Sequence, residues 1–164
     1  FKVAADNFFS SLDLVEELTT RGLQYVGTLR KNRLRGCKLQ DEKTLKKAGQ
    51  GSNDYRVDND KRTAVVRWFD GKAVTLVSNF VSVEPIQQVK RYDRKTKTHV
   101  DVPRPAIVGV YSSFMGGIDL HNYQVLLYKY TIHSICWYMY LIYHAIFISV
   151  VNAWNVHRRQ SHQL

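Results

Sequence analysis

Asp6 and Asp119 are the two residues whose type and setting could do chemistry. Asp6 closes a short apolar run from Phe1 to Ala5. Asp119 follows Gly116 and Gly117, which allow close approach to the backbone just before an acidic side chain. Two carboxylates brought together can hold Mg²⁺ through oxygen ligands, and metals held in this way activate and stabilise the oxygens of a phosphoryl transfer. The same Met-Gly-Gly also serves as a plain bend between two helices, so local pattern leaves both roles open. Several other chemistries are set aside. There is no Gly-rich phosphate loop, no His-Glu-x-x-His and no Gly-x-Ser-x-Gly elbow. The six histidines do not fall at the spacing of a helix-face ligand cluster. Cys37 and Cys136 form no Cys-x-x-Cys pair, suggest neither a zinc site nor a disulfide framework, and fit a reducing, intracellular compartment.

The elements that must position these carboxylates can be read along the chain. Its 164 residues, 45% of them hydrophobic, suit one domain with a substantial core. Phe1 to Ala5 reads as a strand that delivers Asp6 at its C-terminal end. Ser10 or Ser11 caps a following helix with an apolar stripe of Leu12, Leu14, Val15 and Leu18, and Gly22 ends it. Leu23 to Leu29 is a second strand. Strand, helix and strand in that order imply a parallel βαβ unit, and α/β proteins place ligand sites at the carboxyl ends of such strands. With no earlier strand beside it, the first strand is expected at an exposed sheet edge.

From Asp54 to Val102 the pattern becomes antiparallel. Strand signals at 54–57, 63–69 and 72–80, with Asp70-Gly71 as a hairpin turn, precede a pair at 86–92 and 99–102. Trp68 in this stretch reads as core. Pro103 and Pro105 end the module and open a helix, and Asp119 to about Tyr130 is helical after the glycine bend. Ser134 caps a last helix running to about His157. The apolar stretch Ile135 to Val151 within it is at the short edge of what spans a bilayer and reads as a buried core helix.

Charge gives the partner class. Twenty-four Lys and Arg against fourteen Asp and Glu leave a formal charge of +10, which suits a polyanion such as nucleic acid or an acidic membrane surface. Arg30, Lys31, Arg33, Arg35 and Lys38 open a strongly basic run that continues through Lys43, Lys46 and Lys47. Arg94, Lys95 and Lys97 form a second basic turn. Each is either a solvated loop or a phosphate-contacting surface. The chain opens at Phe1 with nothing resembling a signal peptide, and reads as a piece of a longer protein.

Four separated motifs carry a resemblance. Asp6-Asn7-Phe8-Phe9-Ser10-Ser11-Leu12, Val26-Gly27-Thr28-Leu29-Arg30-Lys31-Asn32-Arg33, Tyr111-Ser112-Ser113-Phe114-Met115-Gly116-Gly117-Ile118-Asp119 and Val151-Asn152-Ala153-Trp154 resemble the piggyBac transposase family. The resemblance runs through most of the chain and is weakest over residues 35–60. It implies an α/β fold: an incomplete ribonuclease-H-like (DDE transposase) core with an inserted small antiparallel β module and C-terminal core helices. The implied division is residues 1–33 for the βαβ part, 34–103 for the insertion domain and 104–164 for the helical return to the core. Asp6 matches the family's second catalytic aspartate and Asp119 its third. Both would then be metal ligands, with Mg²⁺ as cofactor, double-stranded DNA as partner, homodimers as in transposases, no membrane, and a nuclear location.

Three departures from the family pattern bear on activity. Its first catalytic aspartate has no counterpart among these residues, and Asn122 stands where many members carry a further aspartate. Cys136 replaces the basic residue that commonly precedes the Trp of the last helix. The cysteine-rich zinc-binding tail is also absent. With two carboxylates, Mg²⁺ would be held mainly by water, and strand cleavage is expected to be very slow or absent. The leading expectation is a transposase-derived, DNA-associated domain that is catalytically incomplete. The alternatives are a non-catalytic DNA-binding or host-regulatory module and a membrane-anchored basic protein.

Overall fold

The computed structural model describes residues 1–93, 97–127 and 129–161. The chain divides into two compact units, Phe1–Phe114 and Met115–Leu164. The first unit contains β1 (Lys2–Ala5), α1 (Leu12–Thr20), β2 (Gln24–Thr28), α2 (Glu42–Ala48), β3 (Asn53–Asp58), β4 (Thr63–Asp70), β5 (Lys72–Ser78), β6 (Gln87–Asp93), β7 (Thr98–Arg104) and α3 (Ala106–Phe114). The fold is mixed α/β. A five-stranded sheet runs in the order β1-β2-β5-β4-β3, and β6 and β7 form a separate two-stranded ribbon.

The βαβ start is as the sequence implies. Leu12–Thr20 is helical because Ser11 Oγ accepts from Leu14 N at 3.2 Å at the N-terminus and Gly22, at φ 69°, turns the chain away after the last turn. α1 lays Leu12, Leu14, Val15 and Leu18 against Tyr25, Leu29, Val65 and Val77 on one face of the sheet. β1 and β2 pair in parallel, from Lys2 opposite Gln24 to Ala5 opposite Gly27. Asn79 joins the two ends of this unit. It donates to Thr19 Oγ1 at 2.9 Å and Leu23 O at 2.8 Å, and its side-chain oxygen accepts from Tyr25 N at 2.7 Å. Among the described residues β1 pairs with β2 and stands at the end of the strand order.

The antiparallel strands correct the expected layout. β3, β4 and β5 do not stand apart as an inserted module. β5 pairs antiparallel with β2, Val26 opposite Ser78, so the three strands continue the sheet that β1 and β2 begin. The cause is visible in β4, whose residues Thr63 to Phe69 are all buried. A strand apolar on both faces needs cover on both, which a small two-layer hairpin could not supply. Val65 and Val77 meet α1, while Val66, Trp68, Leu76 and Val26 meet Ile107 and Val108 of α3 on the other face. Asp70 pairs with Lys72 across Gly71, which sits at φ 73°, the left-handed conformation this tight turn requires.

The basic stretch after β2 is more ordered than a solvated loop. It holds a 3-10 turn at Lys31–Arg33 and the helix α2, whose Leu45 is 1% exposed and which packs on β4 and β5. Buried Arg67 ties the segment down by donating to Gln40 O at 2.8 Å and to Thr75 Oγ1 at 3.0 Å. The β6–β7 ribbon is fixed to the sheet by Trp68 Nε1 donating to Pro103 O at 3.0 Å and by Arg91 with Asp70 at 2.8 Å.

The second unit holds α4 (Gly117–Leu127) and α5 (Trp137–Ser161), which pack on each other, with Asn155 Nδ2 donating to Gln124 Oε1 at 2.9 Å. Ser134 Oγ accepts from Cys136 N at 3.2 Å ahead of α5. The expectation of a buried core helix is corrected here. Within α5 Val151 is buried, whereas Trp137, Leu141, Ile146, Val150 and Trp154 are all exposed. By length and composition α5 could also cross a membrane, at a mean hydropathy of 1.3, a test that core helices of soluble proteins pass as well.

Trp68→Phe keeps the ring but leaves Pro103 O without its donor. Urea unfolding is expected to show a loss of about 1 kcal/mol, with faster proteolysis in the β6–β7 ribbon than in the sheet.

Candidate functional site

Asp6 lies just past the carboxyl end of β1, exposed, with its backbone held in a tight turn. Its carbonyl accepts from Phe9 N at 3.1 Å, Ser10 N at 3.2 Å and Ser10 Oγ at 2.9 Å. Its carboxylate accepts from Asn7 N and from Thr28 Oγ1 at 3.3 Å. Beneath the turn, Ser10 and Tyr25 are fully buried and share a hydroxyl contact of 2.7 Å. Gly27 makes room for that contact. A Cβ there would sit 2.6 Å from Ser10 Oγ, 2.7 Å from Tyr25 Oη and 2.8 Å from the Ala5 carbonyl.

Burial pushes the Tyr25 phenol above its usual value of 10.0, the Ser10 hydrogen bond pulls it partly back, and the nearby Tyr111 phenol adds to the rise. The neutral phenol is therefore the form this pocket favours.

Arg33 was expected among the phosphate contacts. Its guanidinium is turned inward instead: Nη1 donates to Ser10 O at 2.8 Å, to Phe8 O at 2.9 Å and to Asn7 O at 3.4 Å. One cation thus satisfies the carbonyls of the loop that follows Asp6. Arg30 caps the same loop from outside. Its Nε donates to Asn7 Oδ1 at 3.1 Å, and its guanidinium carbon lies 5.7 Å from the centre of the Phe8 ring.

The other expected basic contacts are distributed differently. Lys31 pairs with Asp41 at 3.3 Å, and Arg35 pairs with Asp13. Both pairs are solvent-exposed, so they contribute little and can exchange for phosphate. Lys38 and Lys97 are exposed, and Lys97 sits at φ 53° after the β6 turn. Arg94 and Lys95 lie outside the described residues. Two lysines further along the same basic run belong with these residues. Lys43 and Lys46 on α2 surround an open depression together with Lys31, Asp41 and Glu42. Their i, i+3 spacing on a helix was the available signal.

Asp119 belongs to the second unit, exposed in the first turn of α4 after Gly116 at φ 82°. Asn122 follows one turn later on the same side of that helix. Among the described residues, no three His, Cys, Asp or Glu side chains gather as a metal site. Around Asp6 the donors are right in kind for Mg²⁺, being carboxylate, hydroxyl and amide oxygens, but too few. Asp6 brings negative charge, and Arg30 already occupies Asn7 Oδ1.

A family model described as Transposase IS4 matches residues 1–154, and the chain belongs to the piggyBac transposase family. It is 34% identical over 158 residues to the human PiggyBac transposable element-derived protein 2, covering 96% of this chain and 27% of that protein. It is also 34% identical over 153 residues to the human PiggyBac transposable element-derived protein 3, covering 93% and 26%. The chain therefore spans only about a quarter of the length of these relatives. Its fold matches, at a TM-score of 0.63 and 23% identity, a cryo-EM structure of a piggyBac transposase synaptic complex with hairpin DNA, over 92% of this chain and 29% of that one.

Two outcomes follow from the buried hydroxyl pair. Gly27→Ala should cost about 1–3 kcal/mol of stability in denaturant unfolding, because the clash includes backbone as well as side chains. The raised Tyr25 phenol contributes stability that is fully present below pH 10.0 and is lost as pH rises towards its folded-state value. Alkaline unfolding curves of Tyr25→Phe should therefore lack part of the loss seen above pH 10.0 in the unmodified chain.

Proposed function

We propose that this chain is a DNA-binding domain of the piggyBac family that holds nucleic acid beside Asp6 without cleaving it. The observation that carries this is the position of Arg30, held on Asn7 and Phe8, the two residues after Asp6. A backbone phosphate drawn to the basic stretch 30–46 would lie next to that carboxylate. The solved neighbour is a complex with hairpin DNA, which supports the same partner. Mg²⁺ bound at Asp6 would supply Lewis-acid activation of a phosphodiester, and a single exposed carboxylate would hold it weakly.

On this reading the parallel β1-α1-β2 unit is the ribonuclease-H-like part, residues 1–33. Residues 34–103 are the insertion, whose strands β3, β4 and β5 extend that sheet, and residues 104–164 are the helical return. The apolar faces of α4 and α5 suit assembly of the kind a homodimer uses, and a nuclear location follows from a DNA partner.

The test is fluorescence anisotropy of the 164-residue chain on duplex DNA across a salt series. The logarithm of the binding constant should fall linearly with the logarithm of salt, by about 0.9 per phosphate neutralised, and Lys31→Gln and Lys38→Gln should each flatten the slope by about 1. A salt-independent affinity would rule the DNA reading out.

A further inference from the structure

Phe8 and Phe9 stand out because they are exposed on the hydrogen-bonded loop of the candidate site. They are 62% and 67% exposed, with ring centres 5.0 Å apart and planes at 79°. Two adjacent phenylalanines in water forgo burial that each side chain would otherwise gain. A flexible loop would fold them away. This one cannot, because Arg33 Nη1 holds the carbonyls of Asn7, Phe8 and Ser10 while Ser10 Oγ holds that of Asp6. The rings are thus presented at a fixed place within three residues of Asp6.

The charge beside them selects the occupant. Arg30 lies over Phe8, so one side of the pair is cationic and the rest is bare aromatic surface. The chain carries a formal charge of +10 and presents Lys31, Lys43 and Lys46 on the basic stretch that continues from Arg30. A purely apolar partner would leave Arg30 unmatched. An unpaired nucleobase offers a flat π-face for the rings, and its own phosphate offers charge to Arg30.

We propose that Phe8 and Phe9, with Arg30, form a stacking platform for an unpaired base next to Asp6, so that this chain prefers DNA with a single-stranded end over blunt duplex. The inference rests on the DNA-binding reading above and adds the preferred form of the DNA. Base stacking on an aromatic is sequence-tolerant, so the preference is for unpaired structure and not for a particular base.

The test compares the 164-residue chain on a blunt duplex of about 20 base pairs with the same duplex carrying an overhang of roughly four nucleotides that includes 2-aminopurine. The overhang should raise affinity about tenfold and quench the 2-aminopurine fluorescence. Phe8→Leu with Phe9→Leu, which keeps apolar bulk but removes the π-faces, should bring the ratio of the two affinities to about one and abolish the quench. Equal binding of the two DNAs by the unmodified chain, or a ratio that the leucine variant leaves in place, overturns the stacking platform while DNA binding stands. Failure to bind either DNA overturns the DNA-binding reading itself, and the platform with it.

Discussion

The first unit's candidate site depends on one guanidinium. A chain leaving the end of a parallel strand and entering a helix after six residues must turn its carbonyls somewhere, and buried or half-buried carbonyls without donors are costly. Asp6 O is met by the amides and hydroxyl of the turn itself. The next three carbonyls to need partners, those of Asn7, Phe8 and Ser10, all point at Arg33. Arg33 is in turn placed by the 3-10 turn that follows β2, so the strand pairing of β1 with β2 and the geometry of the Asp6 loop are linked. Gly27 closes the arrangement, because only a residue without a side chain leaves room there for the Ser10 and Tyr25 hydroxyls and the Ala5 carbonyl.

The sheet around this loop is stabilised differently on its two faces. One face is capped by α1 through Val15 and Leu18, the other by α3 through Ile107 and Val108, and β4 is buried throughout because it lies between them. Hydrophobic burial on both faces makes this the rigid part of the unit. The β6–β7 ribbon hangs from it by the Trp68 and Arg91 contacts. The second unit stands in contrast, with Ile118, Leu120, Tyr123 and Leu126 of α4 exposed alongside the apolar residues of α5.

The sequence announced the elements that rest on local signals. Ser11, the Leu12 to Leu18 stripe and Gly22 define α1 by capping and periodicity, and Asp70-Gly71 defines the β4–β5 turn by its backbone demand. It did not announce features that need a distant partner. Whether β5 pairs with β2 or remains in a separate module is decided by which surfaces cover the two apolar faces of β4, and this lies outside any local window. Arg33 looked like its basic neighbours because a guanidinium that binds carbonyls and one that binds phosphates have the same sequence. α2 was hidden by its lysines, which mask a single buried Leu45 in a run read as polar. The family pattern was readable because its four motifs mark backbone requirements, with Gly27 and the Asp6 loop among them.

Local charge then separates binding from cleavage. A site that holds a dication needs an excess of carboxylate, because each anionic oxygen offsets the cost of stripping water from Mg²⁺. Around Asp6 the balance runs the other way. Arg30 and Arg33 both reach the loop that follows it, and the carboxylate already accepts from Asn7 N and Thr28 Oγ1. Two guanidinium groups against one exposed carboxylate favour an approaching phosphate over an approaching metal ion. The same residues that hold the loop in place therefore work against a tightly held metal.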